Sequence, residues 1–232
     1  MKTLIVSDIH GNLPALEAVL DATGDFDSCL FLGDVVDYGP FPKECITVLK
    51  NTMSYGVIGN HDNALAYDVD CGCRGDFKQF SEETRAWHKT LLDKEELQFL
   101  RSLQPLHRCE IDGLSILLAH ATPEGNLFQY LQESDIDKTV KNLTDQVVLL
   151  GHTHIQFKKQ VGGTLVVNPG SVGLSRDGGE ACYAILENRE ITLHRISYDA
   201  EKTIGALWKS PISRTSKEGL TRVLRGTVLP NR

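Results

Sequence analysis

The run Leu4-Ile5-Val6-Ser7-Asp8-Ile9-His10-Gly11-Asn12-Leu13-Pro14 decides the fold class. Residues 3–7 are short, β-branched and apolar, which suits a buried strand. Asn12 then stands as a helix N-cap, with Pro14 in the first turn. Leu16, Val19 and Leu20 follow at helical spacing and predict a helix over 13–22. Asp8 and His10 sit between strand and helix. Polar residues at the carboxyl end of a strand face the crevice where α/β proteins build their sites.

The alternation continues outward. Residues 29–32 form a second strand ended by Gly33, 42–51 a helix and 55–58 a third strand. Between 79 and 103, Trp87, Leu91, Leu92, Leu97, Leu100 and Leu103 lie among many charges, with a break at Asp93. That pattern predicts two amphipathic helices. The stretch 67–103 is therefore expected to form a helical, cap-like insertion beside the site. After Pro105 strands dominate. Residues 107–112 and 114–119 flank Asp112-Gly113, 155–161 and 164–168 flank Gly162-Gly163, and 181–187 and 190–196 flank Asn188-Arg189, giving three hairpins. A helix at 134–143 and a strand at 146–150 lie between them, and the chain from Asp199 onward reads as helical. Without repeats or linkers, 1–232 reads as a single domain. Early αβ alternation followed by hairpins implies layered α/β (α+β), with mixed or paired sheets between helices.

Composition narrows the partners. A net charge of -7 provides no basic field for nucleic acid or an anionic membrane. No apolar stretch approaches the roughly 20 residues of a membrane helix, and Leu4-Ile5-Val6 is too short for a signal-peptide core. The expected location is cytoplasmic, with no membrane and no stable nucleic-acid partner. The six cysteines are then expected as free thiols. Cys71 and Cys73 form a lone C-x-C, which offers two ligands where a structural zinc needs four.

Five clusters, each after an apolar run, carry the chemistry: Asp8-Ile9-His10, Gly33-Asp34-Val35-Val36-Asp37, Gly59-Asn60-His61-Asp62, His120 and Gly151-His152-Thr153-His154. Carboxylate, amide and imidazole ligands suit a pair of hard-to-borderline cations. In extended backbone, residues i and i+2 point the same way, so Asp8 and His10 can reach one metal. His152 and His154 can do the same or divide between two. Asp34 has two oxygens and can bridge. The glycines before Asp34, Asn60 and His152 allow close backbone approach.

In this order and spacing, the five clusters resemble the calcineurin-like metallophosphoesterase superfamily, over residues 4–171. Leu32-Gly33-Asp34-Val35-Val36-Asp37-Tyr38-Gly39-Pro40 is similar to the small bacterial and archaeal members, related to phosphodiesterases and diadenosine tetraphosphate hydrolases. The resemblance implies a four-layer β-sandwich flanked by helices. It implies a first metal on Asp8, His10 and His154, a second on Asn60, His120 and His152, and Asp34 between them. His61 would act at the leaving-group oxygen, oriented by Asp37. The ions would be two divalent transition metals, manganese foremost, with iron, nickel or zinc also suited. The implied activity is hydrolysis of small phosphodiesters or nucleotide polyphosphates by metal-activated hydroxide, without a phosphoenzyme. A small phosphoester or nucleotide is the expected partner, and a homodimer is compatible with the family.

Departures shift the substrate class. Related protein phosphatases carry Gly-Asp-x-x-Asp-Arg-Gly and Gly-Asn-His-Glu; here Tyr38 replaces the arginine and Asp62 the glutamate. Both weaken a serine/threonine phosphatase reading. Arg74, Arg85 and Arg176 remain as phosphate-binding candidates, each more commonly a surface residue. Asn168-Pro169-Gly170-Ser171 reads as a structural turn beside the metal loops. A non-catalytic scaffold, like the metallophosphoesterase-like subunit of retromer, would lack ligands that this chain retains. A nuclease in a larger complex is disfavoured by the acidic balance.

Overall fold

The computed structural model describes residues 1–131 and 133–227; the end of the C-terminal segment expected to be helical, 228–232, lies outside the described residues. The first half alternates: β1 (Lys2–Val6), α1 (Leu13–Thr23), β2 (Ser28–Phe31), α2 (Pro42–Thr52), β3 (Tyr55–Gly56), α3 (Asn60–Tyr67), α4 (Gly75–Leu91) and α5 (Lys94–Ser102). Next come β4 (Leu106–Ile111), β5 (Leu114–Ala119), α6 (Glu133–Val140), β6 (Val147–Leu149), β7 (Phe157–Val161) and β8 (Thr164–Asn168). β9 (Ala181–Glu187), β10 (Glu190–Ile196), α7 (Ala200–Trp208) and α8 (Arg214–Leu224) complete it.

The strands form two five-stranded sheets, β10-β9-β1-β2-β3 and β4-β5-β6-β8-β7. Both are mixed: β1 runs parallel to β2 and antiparallel to β9, and β5 parallel to β6 and antiparallel to β4. Alternation along the strands fixes the layers. Ile5, Leu30, Ile116, Leu118 and Leu149 meet in the core between the sheets. Their neighbours Leu4, Val6 and Phe31 turn to the other face, against Leu16 and Val19 of α1 and Ile46 of α2. Leu117 and Val148 pack outward on Ile136 and Val140 of α6. The result is the helix–sheet–sheet–helix sandwich that the sequence implied.

Local chemistry explains the boundaries. The predicted break at Asp93 is a capping box: Asp93 accepts from the Glu95 N–H at 2.9 Å, and Glu96 accepts from the Asp93 N–H at 2.9 Å. The strand predicted over 55–58 leaves its sheet after Gly56, because the Ile58 N–H turns to the Gln104 carbonyl at 3.0 Å. The turn-prone Gly59-Asn60-His61-Asp62 is instead the first turn of α3. The Asp62 carboxylate accepts the Gly59 N–H at 3.2 Å and so satisfies a free donor at the helix start.

Within 67–103, Leu92, Leu100 and Leu103 join the main core, while Phe77 and Phe80 pack against Ile204 of α7 and Leu220 of α8. Residues 71–73 of this stretch border the polar site. All six cysteines are free thiols. Among the described residues, no helix is long and apolar enough to cross a membrane.

Candidate metal centre

The loops after β1, β2, β3, β5 and β6 converge at one end of the sandwich. They bring together all nine residues singled out in the sequence: Asp8, His10, Asp34, Asp37, Asn60, His61, His120, His152 and His154. None is more than 4% exposed. His10 Nε2 and Asp8 Oδ1 each lie 3.2 Å from His154 Nε2. Asn60 Oδ1 lies 3.0 Å from His120 Nε2 and 3.0 Å from His152 Nδ1. Asp34 joins the two groups. Its carboxylate clusters with His10 and His61 on one side and with His120 and His152 on the other.

The fit to cations rests on lone pairs. His10, His120 and His154 each donate Nδ1–H to a backbone carbonyl, of Val36 at 2.8 Å, Leu32 at 2.7 Å and Leu174 at 2.7 Å. In the neutral rings, each Nε2 therefore carries a lone pair aimed into the site, the usual arrangement of a ligating histidine. Asn60 donates its amide to the Cys71 carbonyl at 2.8 Å, which turns Oδ1 toward the imidazoles. Asp8 Oδ1 and Asp34 Oδ2 are buried without a hydrogen-bond partner. Acceptors facing acceptors in a buried site are costly unless a cation lies between them.

Charge in the metal-free protein follows the same geometry. Burial disfavours a carboxylate at Asp34, but His120 and His61 outweigh it and hold Asp34 well below its ordinary range. Burial likewise opposes a charged His120, yet Asp34 at 3.1 Å raises it to about 9. Burial and neighbouring His154 push His10 down to about 3.

Seven of the eleven non-glycine residues with positive φ among the described residues are here: Asp8, His10, Asp34, Asp37, Tyr38, His152 and His154. Asp8 and His10 thus point together through left-handed kinks, not through the extended backbone expected. Left-handed backbone costs roughly 1–2 kcal/mol per residue. The sum rivals a domain's net stability, so the surrounding network must hold it in place.

Asp62, quoted in the motif but given no role, supplies much of that network. It accepts from the N–H of Asp34 at 2.7 Å and of Val35 at 2.9 Å. Gly59 lets this contact form, since a Cβ there would stand 2.0 Å from Asp34 Oδ1 and 2.5 Å from Asp34 N. Gly59→Ala is expected to destabilise the fold by about 1–3 kcal/mol and to displace the Asp34 carboxylate. Calorimetry should show a melting temperature lowered by several degrees and manganese affinity at least about tenfold weaker.

His61 donates Nδ1–H to Asp37 Oδ2 at 2.7 Å, the predicted pairing. Burial opposes its protonation, but Cys73, Asp34 and Asp37 hold it well above its ordinary range. Arg85 was expected at the surface and is buried. It donates to Asp37 Oδ2 at 3.2 Å, the Val69 carbonyl at 3.2 Å and Cys71 Sγ at 3.0 Å, so it faces the protein and not a phosphate. Tyr38 is buried, with its hydroxyl 3.4 Å from both His61 Nε2 and Cys73 Sγ.

Two residues of α4, unmarked in the sequence, hold the strained turn at 37–39. Thr84 Oγ1 accepts the Tyr38 N–H at 3.0 Å. His88 Nδ1 accepts the Asp37 N–H at 3.1 Å, and its Nε2–H donates to the Gly39 carbonyl at 2.9 Å. His88 must therefore be neutral, and burial pushes its pKa down. The unfolded chain takes up this proton first, so the stability contribution is present above about pH 6.5 and is lost as pH falls below it. Wild-type protein should lose more melting temperature between pH 7 and 5 than His88→Gln, whose amide keeps one acceptor and one donor.

Residues 1–190 match the calcineurin-like phosphoesterase superfamily domain. The chain belongs to that superfamily. It is 31% identical to the uncharacterized protein MJ0912 of Methanocaldococcus jannaschii, over 89% of this chain and 91% of that one. It is 28% identical to the phosphodiesterase YfcE of Escherichia coli, over 81% of this chain and 88% of that one. A metallophosphoesterase from Sphaerobacter thermophilus superposes with a TM-score of 0.83 at 30% identity, covering 98% of this chain and all of that one.

Beside the centre, the protein has a cavity of about 610 Å³, lined by Arg74, Phe77, Phe128, Tyr130 and Arg176 among others. Tyr130 reaches the centre, its ring centroid 4.1 Å from that of His152. Arg176, also expected at the surface, is buried with its guanidinium 4.6 Å over the Phe77 ring and its Nε without a partner. Arg74 is exposed at the rim.

Proposed function

We propose that the protein is a dinuclear metal-dependent phosphoesterase that hydrolyses small phosphodiesters or nucleotide polyphosphates. The observation that carries this reading is the convergence of partnerless carboxylate oxygens with imidazole nitrogens whose other nitrogen is already bonded. Asp8, His10 and His154 would hold one cation, and Asn60, His120 and His152 the other, with Asp34 shared. Oxygen and imidazole donors suit manganese, iron, nickel or zinc. When bound, such a pair supplies Lewis acidity toward phosphoryl oxygens and acidifies water near neutral pH.

The protein's own residues do the rest. His61, protonated and oriented by Asp37, would give its Nε2 proton to the departing oxygen. Arg85 and His88 hold Asp37 in position for this. Arg176 and Arg74 would pair with phosphate oxygens of the bound substrate. Phe128 and Tyr130 offer exposed rings for a nucleobase, which favours nucleotide substrates within this class. Tyr38, turned to His61 and Cys73, cannot replace the phosphate-gripping arginine of protein phosphatases.

The test is turnover by manganese-loaded protein. Bis(p-nitrophenyl) phosphate and diadenosine tetraphosphate should be cleaved faster than p-nitrophenyl phosphate. Absence of turnover with every transition metal would sink the enzymatic reading. Preference for the monoester would sink the substrate class.

A further inference from the structure

The sequence presents Cys71 and Cys73 as two ligands, and the fold adds a third. Cys71 Sγ, Cys73 Sγ and His61 Nε2 all lie within 4.8 Å of one another, and all three residues are buried. We propose that these atoms form a separate site for a thiophilic divalent cation, with zinc as the physiological class, next to the dinuclear centre.

Three observations support the site. The first is spacing. Zinc bonds of about 2.3 Å to sulfur and 2.0–2.1 Å to nitrogen, set tetrahedrally, put ligand atoms roughly 3.5–3.8 Å apart. Cys73 Sγ and His61 Nε2 are 3.4 Å apart. The second is support around the ligands. Asp37 accepts the His61 Nδ1–H and leaves Nε2 as the ligating atom, a common carboxylate–histidine–metal arrangement. Arg85 Nη2 at 3.0 Å and Ser81 Oγ at 3.4 Å face Cys71 Sγ, where a metal-bound thiolate would carry charge. The Tyr38 hydroxyl, 3.4 Å from both Cys73 Sγ and His61 Nε2, stands near the remaining position. The third is access, because Gly72 and Cys73 line the 610 Å³ cavity.

Donor chemistry separates this site from its neighbour. Two sulfurs and one imidazole select soft cations, while the carboxylate, amide and imidazole set beside it accepts manganese. Occupancy would take His61 Nε2 away from the leaving group, so zinc bound here inhibits. That consequence rests on the catalytic reading above; binding itself does not.

Cadmium is the probe, because its thiolate complexes absorb in the near ultraviolet. The full-length, manganese-loaded protein should bind one further equivalent of cadmium. A thiolate charge-transfer band should appear while the manganese content stays constant. The band should be absent from Cys71→Ser/Cys73→Ser protein. If that variant does not fold, wild-type protein alone decides: zinc should protect Cys71 and Cys73 from iodoacetamide at least tenfold, and leave half-buried Cys109 unprotected. A missing band, a band that survives the double substitution, or unchanged alkylation would overturn the site. In turnover assays, one equivalent of zinc should inhibit wild-type protein about tenfold or more. The band in a protein without phosphoesterase activity would support the site and overturn only the inhibitory role.

Discussion

Asp34→Asn should lower phosphodiester turnover by at least about 10³-fold and reduce metal content together with it. Among the described residues, Asp34 is the one carboxylate common to both ligand groups, lying with His10 on one side and His120 and His152 on the other. The substitution removes one negative charge but keeps the shape, and an amide N–H at the Oδ2 position could donate to the His120 lone pair 3.1 Å away. The variant should therefore fold. Losing one preorganised electrostatic group in a dry site typically costs 10²–10³ in rate, and loss of the cations adds to that. Melting separates the causes. Manganese at about 100 times its dissociation constant should stabilise the wild type by about 2.7 kcal/mol, and that increment should vanish in the variant. An active variant with full metal content would remove Asp34 from the shared position.

His61→Ala should lower turnover by about 10²–10⁴-fold and leave both cations bound. The size of the loss should depend on the leaving group. A p-nitrophenolate departs without a proton, so bis(p-nitrophenyl) phosphate should lose least. A nucleotide whose leaving group needs protonation should lose most. Equal losses on both substrates would mean that His61 holds charge or geometry and does not deliver a proton. Loss of metal would mean that His61 is a ligand.

Much of this was legible because strand-then-polar periodicity is local. The strand at residues 3–7, Asn12 as a cap and the helix behind it follow from side chains a few positions apart, and so does the capped break at Asp93. The nine polar residues were recognisable because each of the five clusters that hold them follows an apolar run. Their joint order carries information that no single Asp-x-His would.

What was hidden depends on distant contacts or on backbone torsion. Asp8 and His10 converge through left-handed φ, which hydropathy does not encode. α3 begins at a motif that looks like a turn because Asp62 also binds the loop at Asp34, 28 positions earlier. Arg85 and Arg176 looked like surface residues because long cations usually are. One is buried against Asp37 and Cys71, the other against Phe77. His88 and Thr84 sit on a helix whose pattern reads as amphipathic, yet they hold the strained turn beside His61. Sequence counting gave Cys71 and Cys73 only each other, and tertiary folding brought His61 to them.

Metal stoichiometry tests the central claim most directly. Full-length protein should be stripped with chelator, equilibrated with manganese, desalted and analysed by elemental mass spectrometry alongside a turnover assay. Two cations per chain should bind, and phosphodiesterase activity should rise as the second site fills. Full activity in protein that retains one cation or none would contradict the dinuclear centre.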